Sequence, residues 1–209
     1  MKTPSTILYY VHDPMCSWCW GFQPVWQDVS KQLSDKLQIK YLLGGLASDS
    51  DIPMPKAMQA DIAGYWRKIQ KHIPGTEFNF DFWEKCQPRR STYPACRAVI
   101  AARKQDSNTE LAMIKAIQRA YYLYAKNPSD DHILADLAES LKLERQKFLI
   151  DLNSQETQQE LEQEIQYSRQ IGSQGFPSLI LAKEDEYSTI PIDYNNAESI
   201  LRNLALQTE

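Results

Sequence analysis

Strand-forming sequence is confined to the two ends of this chain, and that distribution limits its fold more than any other feature. Residues 5–11 (Ser-Thr-Ile-Leu-Tyr-Tyr-Val) have the β-branched and aromatic character of a buried strand, and Asp13-Pro14 ends it. From Cys19 onward Phe22, Val25, Trp26, Val29 and Leu33 recur at helical spacing. Pro24 lies inside that helix and is expected to kink it, having no N–H to donate to the preceding turn. Residues 37–43 alternate, then run apolar up to Gly44-Gly45, as a second strand. Strand, helix and strand in so short a length predict a parallel βαβ unit. Near the other end, residues 177–182 and 187–192 read as an antiparallel hairpin about the polar turn Lys183–Glu186, with Pro191 at an edge or end. Asn195 followed by Glu198 resembles a capping box opening a last helix, with Ile200, Leu201 and Leu204 facing inward.

Between these parts, residues 53–172 carry a helical pattern. Met58, Ile62, Tyr65, Trp66, Ile69 and Ile73 form one expected apolar stripe, and Ile114, Ile117, Tyr121 and Tyr124 another. Asp130-Asp131 can cap a helix carrying Ile133, Leu134, Leu137 and Leu141. Leu161, Ile165, Ser168 and Ile171 mark a longer helix stopped by Gly172. The fold class is therefore α/β: a mixed sheet built from both chain ends, residues 1–50 and 155–209, with a helical insertion over residues 51–154.

Composition narrows the function classes. Five Trp, eleven Tyr and six Phe among 209 residues supply a core and argue against disorder. A net charge of −4 gives no reason to expect nucleic-acid binding. The first apolar run is too short for a signal peptide and none is long enough to cross a bilayer, so a cytoplasmic protein with no membrane partner is expected. Four cysteines are too few for a disulfide scaffold, and in a reducing compartment a close pair points to catalysis or metal binding.

That pair is Cys16-Ser17-Trp18-Cys19, placed between a strand and a helix. Disulfide exchange needs a thiolate, and the unpaired N–H groups and positive dipole end at a helix N-terminus favour one. Cys16 is at that start, as nucleophile. Cys19 lies one turn in, placed to attack a mixed disulfide on Cys16 as the resolving cysteine. Ser17 and Trp18 are candidate substrate-binding residues, with the Trp18 ring expected exposed as an apolar surface; Phe22 and Trp26 read as core. A second candidate segment is Gly175-Phe176-Pro177. About one X-Pro bond in twenty is cis, and a cis-Pro turn beside the cysteines would free backbone at Phe176 and Pro177 to pair with an extended substrate.

The strand, Asp-Pro-Met-Cys-Ser-Trp-Cys-Trp-Gly-Phe, the helical insertion and the late Gly-Phe-Pro-Ser together resemble the DsbA-like branch of the thioredoxin superfamily, closest to cytoplasmic members with a tryptophan between the cysteines. Leu43-Gly44-Gly45-Leu46 and Ser91–Arg97 are similar to segments of that family too. The resemblance implies a thioredoxin-like fold with a helical insert, dithiol–disulfide exchange and a cis-proline at Pro177. Two departures stand out. Secreted oxidases of the family carry Pro-His between the cysteines, where this chain has Ser17-Trp18, and Asp13 places a negative charge near Cys16. Both predict a milder thiol than theirs.

Three other readings compete. The first is half a zinc site completed by Cys86 and Cys96, although these are not spaced as a second knuckle and read more simply as packed thiols, with a regulatory disulfide between them as a further option. The second is a glutathione-dependent transferase or isomerase of the kappa type, whose members resemble this layout but carry serine where Cys16 stands. The third is a non-catalytic redox sensor. The expected partners are protein or small-molecule thiols and disulfides. No tightly bound cofactor is expected, with glutathione as a candidate thiol donor. His12 reads as structural and His72 and His132 as surface residues.

Overall fold

The computed structural model describes residues 6–33, 36–184 and 186–208. Ser5 of the first expected strand and Asp185 of the expected turn lie outside them. The elements run β1 (Ile7–His12), α1 (Ser17–Leu33), β2 (Gln38–Leu43), α2 (Lys56–His72), α3 (Phe82–Lys85), α4 (Tyr93–Gln105), a 3₁₀ turn (Ser107–Thr109), α5 (Glu110–Tyr122), α6 (Asp131–Ser140), α7 (Arg145–Leu152), α8 (Gln155–Gln170), β3 (Ser178–Lys183), β4 (Glu186–Ile190) and α9 (Ala197–Thr208). Two compact units emerge, Met1–Gly44 with Glu164–Glu209, and Gly45–Gln163; helix α8 runs through the second border.

The first unit holds the sheet, in the order β2-β1-β3-β4. β1 pairs parallel with β2, from Ile7 opposite Gln38 to His12 opposite Leu43. It pairs antiparallel with β3, from Ile7 opposite Ala182 to Val11 opposite Ser178. β3 and β4 close the hairpin. The two-residue alternation of strands sorts the core by face. Leu8 and Tyr10 with Leu179 and Leu181 pack against Phe22, Trp26, Val29 and Leu33 of α1 and Ile200 and Leu204 of α9. Tyr9 and Val11 with Leu42 and Ile180 pack against Ile171, Tyr167 and Phe176. Pro24 lies on the exposed side of α1. The cap of α9 falls one residue later than the sequence suggests: Asn196 Oδ1 accepts from Ser199 N at 3.3 Å.

The second unit is helical. α4 is buried along most of its length, through Pro94, Ala95, Cys96 and Ala98–Ala102, and packs against α5, α6 and α7. A helix apolar nearly all round belongs inside a bundle. Trp66 anchors an aromatic cluster with Phe78, Phe82, Trp83, Tyr121 and Tyr122. The expected stripe on α2 is narrower in the structure. Trp66 and Ile69 are buried, but Met58 and Tyr65 are 38% and 54% exposed. At 100° per residue, Tyr65 points a quarter-turn away from Trp66. Tyr124, expected inward, is 55% exposed because α5 ends at Tyr122. Asp130 stands at the N-cap of α6 without capping it; its carboxylate takes Asn127 Nδ2 at 3.0 Å and pairs with Arg89 at 3.0 Å.

Candidate active site

The site lies in the first unit, where β1 passes into α1. Asp13 folds the connection on itself: its Oδ1 accepts from Met15 N at 2.7 Å and its carbonyl accepts from Cys16 N at 3.0 Å. That short-range bonding is what aspartate offers at a turn. It leaves Cys16 as the residue flanking α1, its carbonyl accepting the helical bond from Trp20 N at 3.1 Å. Cys16 is 6% exposed, Cys19 is fully buried, and both are free thiols.

The two thiols are electrically unequal. A hydrogen bond from Cys19 holds the Cys16 thiol below the ordinary cysteine range, against burial and the Asp13 charge. Cys19 is pushed well up, by burial first and then by its bond to Cys16. The arrangement thus pairs two buried thiols, Cys16 inclined to ionise and Cys19 inclined to keep its proton.

Polar neighbours that sequence reasoning missed complete the setting. The Tyr10 hydroxyl donates to Cys19, and burial keeps Tyr10 protonated. Tyr194 lies near both sulfurs and has its ionisation suppressed, chiefly by burial. Tyr10 could have been found by strand parity, since it shares a face with His12; Tyr194, between β4 and α9, gives no local signal. His12 is 1% exposed, its ring stacks on Tyr10 at 5.2 Å, and Nε2 has no hydrogen-bond partner among the described residues. Burial pushes its pKa down to about 3.

Of the remaining sequence candidates, Phe176 meets the Cys16 sulfur, through its backbone carbonyl. Ser17 opens α1 and is half-buried. Trp18 is half-buried too, a correction to the expected exposed ring: it rests 5.1 Å from the Tyr194 ring, which in turn meets Phe22 edge-on at 5.7 Å. The Phe176–Pro177 bond is cis and leads into β3. Ser178 Oγ donates to Gly175 O at 2.6 Å across this turn. The Phe176 carbonyl accepts from Cys16 Sγ at 3.6 Å. Cys86 and Cys96 are in the second unit, where Cys86 Sγ donates to Ala125 O at 3.1 Å and Cys96 is buried. Among the described residues no group of three or more His, Cys, Asp or Glu side chains stands together to hold a metal, and no helix is long and apolar enough to cross a membrane.

Comparison with known proteins agrees with this architecture. A solved structure from Nitrosomonas europaea, described as a candidate protein disulfide isomerase, superposes with a TM-score of 0.84 at 30% identity over 98% of this chain and 99% of that one. The cytosolic disulfide reductase DsbM from Pseudomonas aeruginosa shares the fold, with a TM-score of 0.75 at 21% identity over 97% of this chain and 98% of that one. Among curated proteins, the ClpXP adapter protein SpxH of Bacillus subtilis is 28% identical over 203 residues, covering 93% of this chain and 64% of that protein. The chain therefore spans slightly under two thirds of that relative's length. A family description, thioredoxin, matches residues 9–201. With that match across nearly the whole chain and a DsbA-like order of elements around a close cysteine pair, the protein belongs to the thioredoxin family.

Proposed function

We propose that the protein is a thiol–disulfide oxidoreductase in which Cys16 is the nucleophile and Cys19 the resolving cysteine. The observation that carries this reading is the placement of the two free thiols, Cys16 flanking the start of α1 beside the Phe176 carbonyl and Cys19 fully buried one turn in, and the direction of their acidities, lowered for Cys16 and raised for Cys19, supports it. The Cys16 thiolate attacks a substrate disulfide, forming a mixed disulfide and expelling one thiolate. Cys19 then attacks the Cys16 sulfur, closing the Cys16–Cys19 disulfide and releasing the second thiol, and its proton leaves with the product. The substrate gains two electrons, and two molecules of glutathione, becoming glutathione disulfide, restore the dithiol. In a reducing cytoplasm the resting pair is reduced, which favours reductase or isomerase work on protein or small disulfides. Asp13 opposes ionisation of both thiols, which supports a milder thiol than a dedicated oxidase needs. Ser17, Trp18, Phe176 and Pro177 border Cys16 as the substrate-binding surface.

Titration against reduced and oxidised glutathione, with alkylation trapping and mass spectrometry of each cysteine, tests the proposal. A two-electron transition confined to Cys16 and Cys19 is the expected result. Protection of both until a chelator is added would replace it with a zinc site.

A second reading rests on the SpxH likeness: the chain acts as a ClpXP adapter, as those relatives are described. Its test is proteolysis of a candidate client by purified ClpXP with and without this protein. Acceleration that survives Cys16→Ser would favour the adapter over the enzyme.

A further inference from the structure

The Gly44-Gly45 pair at the end of β2 has two separate physical causes. Gly45 has φ 62°, a left-handed conformation that favours glycine. Gly44 does not, and its reason is space. A Cβ built on Gly44 would collide with Cε1 and Cζ of the Phe176 ring, and even the third-nearest atom, Cδ1, would lie only 2.7 Å away. The ring thus lies directly on the bare Cα.

Gly44 has little freedom to retreat. Its N–H donates to His12 O at 2.7 Å, tying it to the end of β1. The preceding residue, Leu43, donates its N–H to Glu164 Oε2 at 2.8 Å. A side chain at residue 44 would therefore displace Phe176 and not the strand. Phe176 is the residue whose carbonyl accepts the Cys16 thiol hydrogen bond at 3.6 Å.

We propose that Gly44 is a positioning residue for Cys16: its missing side chain seats the Phe176 ring, which holds the Phe176 carbonyl against the Cys16 sulfur. This deepens the oxidoreductase reading and rests on the same site. A carbonyl oxygen accepts a hydrogen bond from a thiol but repels a thiolate, so the arrangement favours the protonated form. The sequence separates these residues by more than a hundred positions, and only the pairing of β1 with both β2 and β3 brings them together.

The test is the pH profile of Cys16 alkylation by iodoacetamide, read by mass spectrometry on the intact reduced protein. Gly44→Ala should move the midpoint down and raise the alkylation rate below the midpoint roughly two- to five-fold, the scale of one modest hydrogen bond. Phe176→Ala should move it the same way. In the Phe176→Ala background, Gly44→Ala should add nothing, because the ring it displaces is gone. An unchanged midpoint in folded Gly44→Ala, or an equal shift with and without the ring, overturns the proposal. If Gly44→Ala does not fold, Phe176→Ala decides alone, and an unchanged midpoint there overturns it. The profile reads the thiol without any disulfide substrate. A protein inactive in exchange can still show the coupling, and an active one without it loses only this inference.

Discussion

Cys16 and Cys19 sit where a strand gives way to a 17-residue helix, whereas Cys86 and Cys96 sit after a one-turn helix and inside a buried one. In the first pair each sulfur has the other as a hydrogen-bonding neighbour, and the two are driven apart in acidity. Cys86 donates to a backbone carbonyl, and burial with the Asp130 charge pushes its thiol up. Cys96 is packed among the alanines of α4 like a small apolar residue. The difference teaches that chemistry here comes from the local backbone and the partner sulfur, and not from the residue type.

Substitutions can break or sharpen that contrast. The largest effect should come from Cys16→Ser, which abolishes disulfide exchange to background in a stopped assay with a protein disulfide. Next, Cys19→Ala removes the bond that favours the Cys16 thiolate, so the alkylation midpoint of Cys16 should rise by about one to two pH units, the worth of a hydrogen bond to a charged group. His12 extends the contrast to stability. The unfolded chain binds a proton on this imidazole below about pH 6.5, whereas the folded one resists it down to about 3. Its contribution is therefore complete above the upper value and is lost as pH falls through that window, at about 1.4 kcal/mol per unit. Urea midpoints at pH 7 and 4.5 should lie closer together in His12→Phe than in the unsubstituted protein. A smaller effect belongs to Asp13→Asn, which removes the opposing charge and should lower the Cys16 midpoint in the same alkylation profile. The smallest belongs to Cys86→Ala, which should leave exchange unchanged and move the unfolding free energy by about 1 kcal/mol or less.

The contrast also separates what the sequence shows from what it hides. The helix face of Phe22, Trp26, Val29 and Leu33 and the alternation of β2 follow from periodicity, β1 and β3 follow from short apolar runs, and the exposed β4 follows from its β-branched and aromatic residues beyond a polar turn. The cysteine motif was visible because its spacing and its place after a strand are both local. The cover of Trp18 is invisible in the sequence because it is Tyr194, which arrives from a loop 176 residues later. Tyr65 and Tyr124 show the reverse: an aromatic residue fits a stripe on paper, but the turn of α2 and the end of α5 leave each one outward. Gly44 stands in a family-like segment of the sequence, but its physical reason, the Phe176 ring, is visible only in three dimensions.

The place of β1 in the sheet also sets a timetable for biosynthesis. β1 and the cysteines are made well before the strand on the other side of β1, which begins only at Ser178. A ribosome must therefore add 160 residues after Cys16 before it can meet the carbonyl at Phe176, and more before Tyr194 can reach Trp18. Because synthesis runs at about 5–20 residues per second, the nascent thiols spend many seconds without their finished surroundings. The helical stretch between them is made during that wait, and its contacts are local enough to form first.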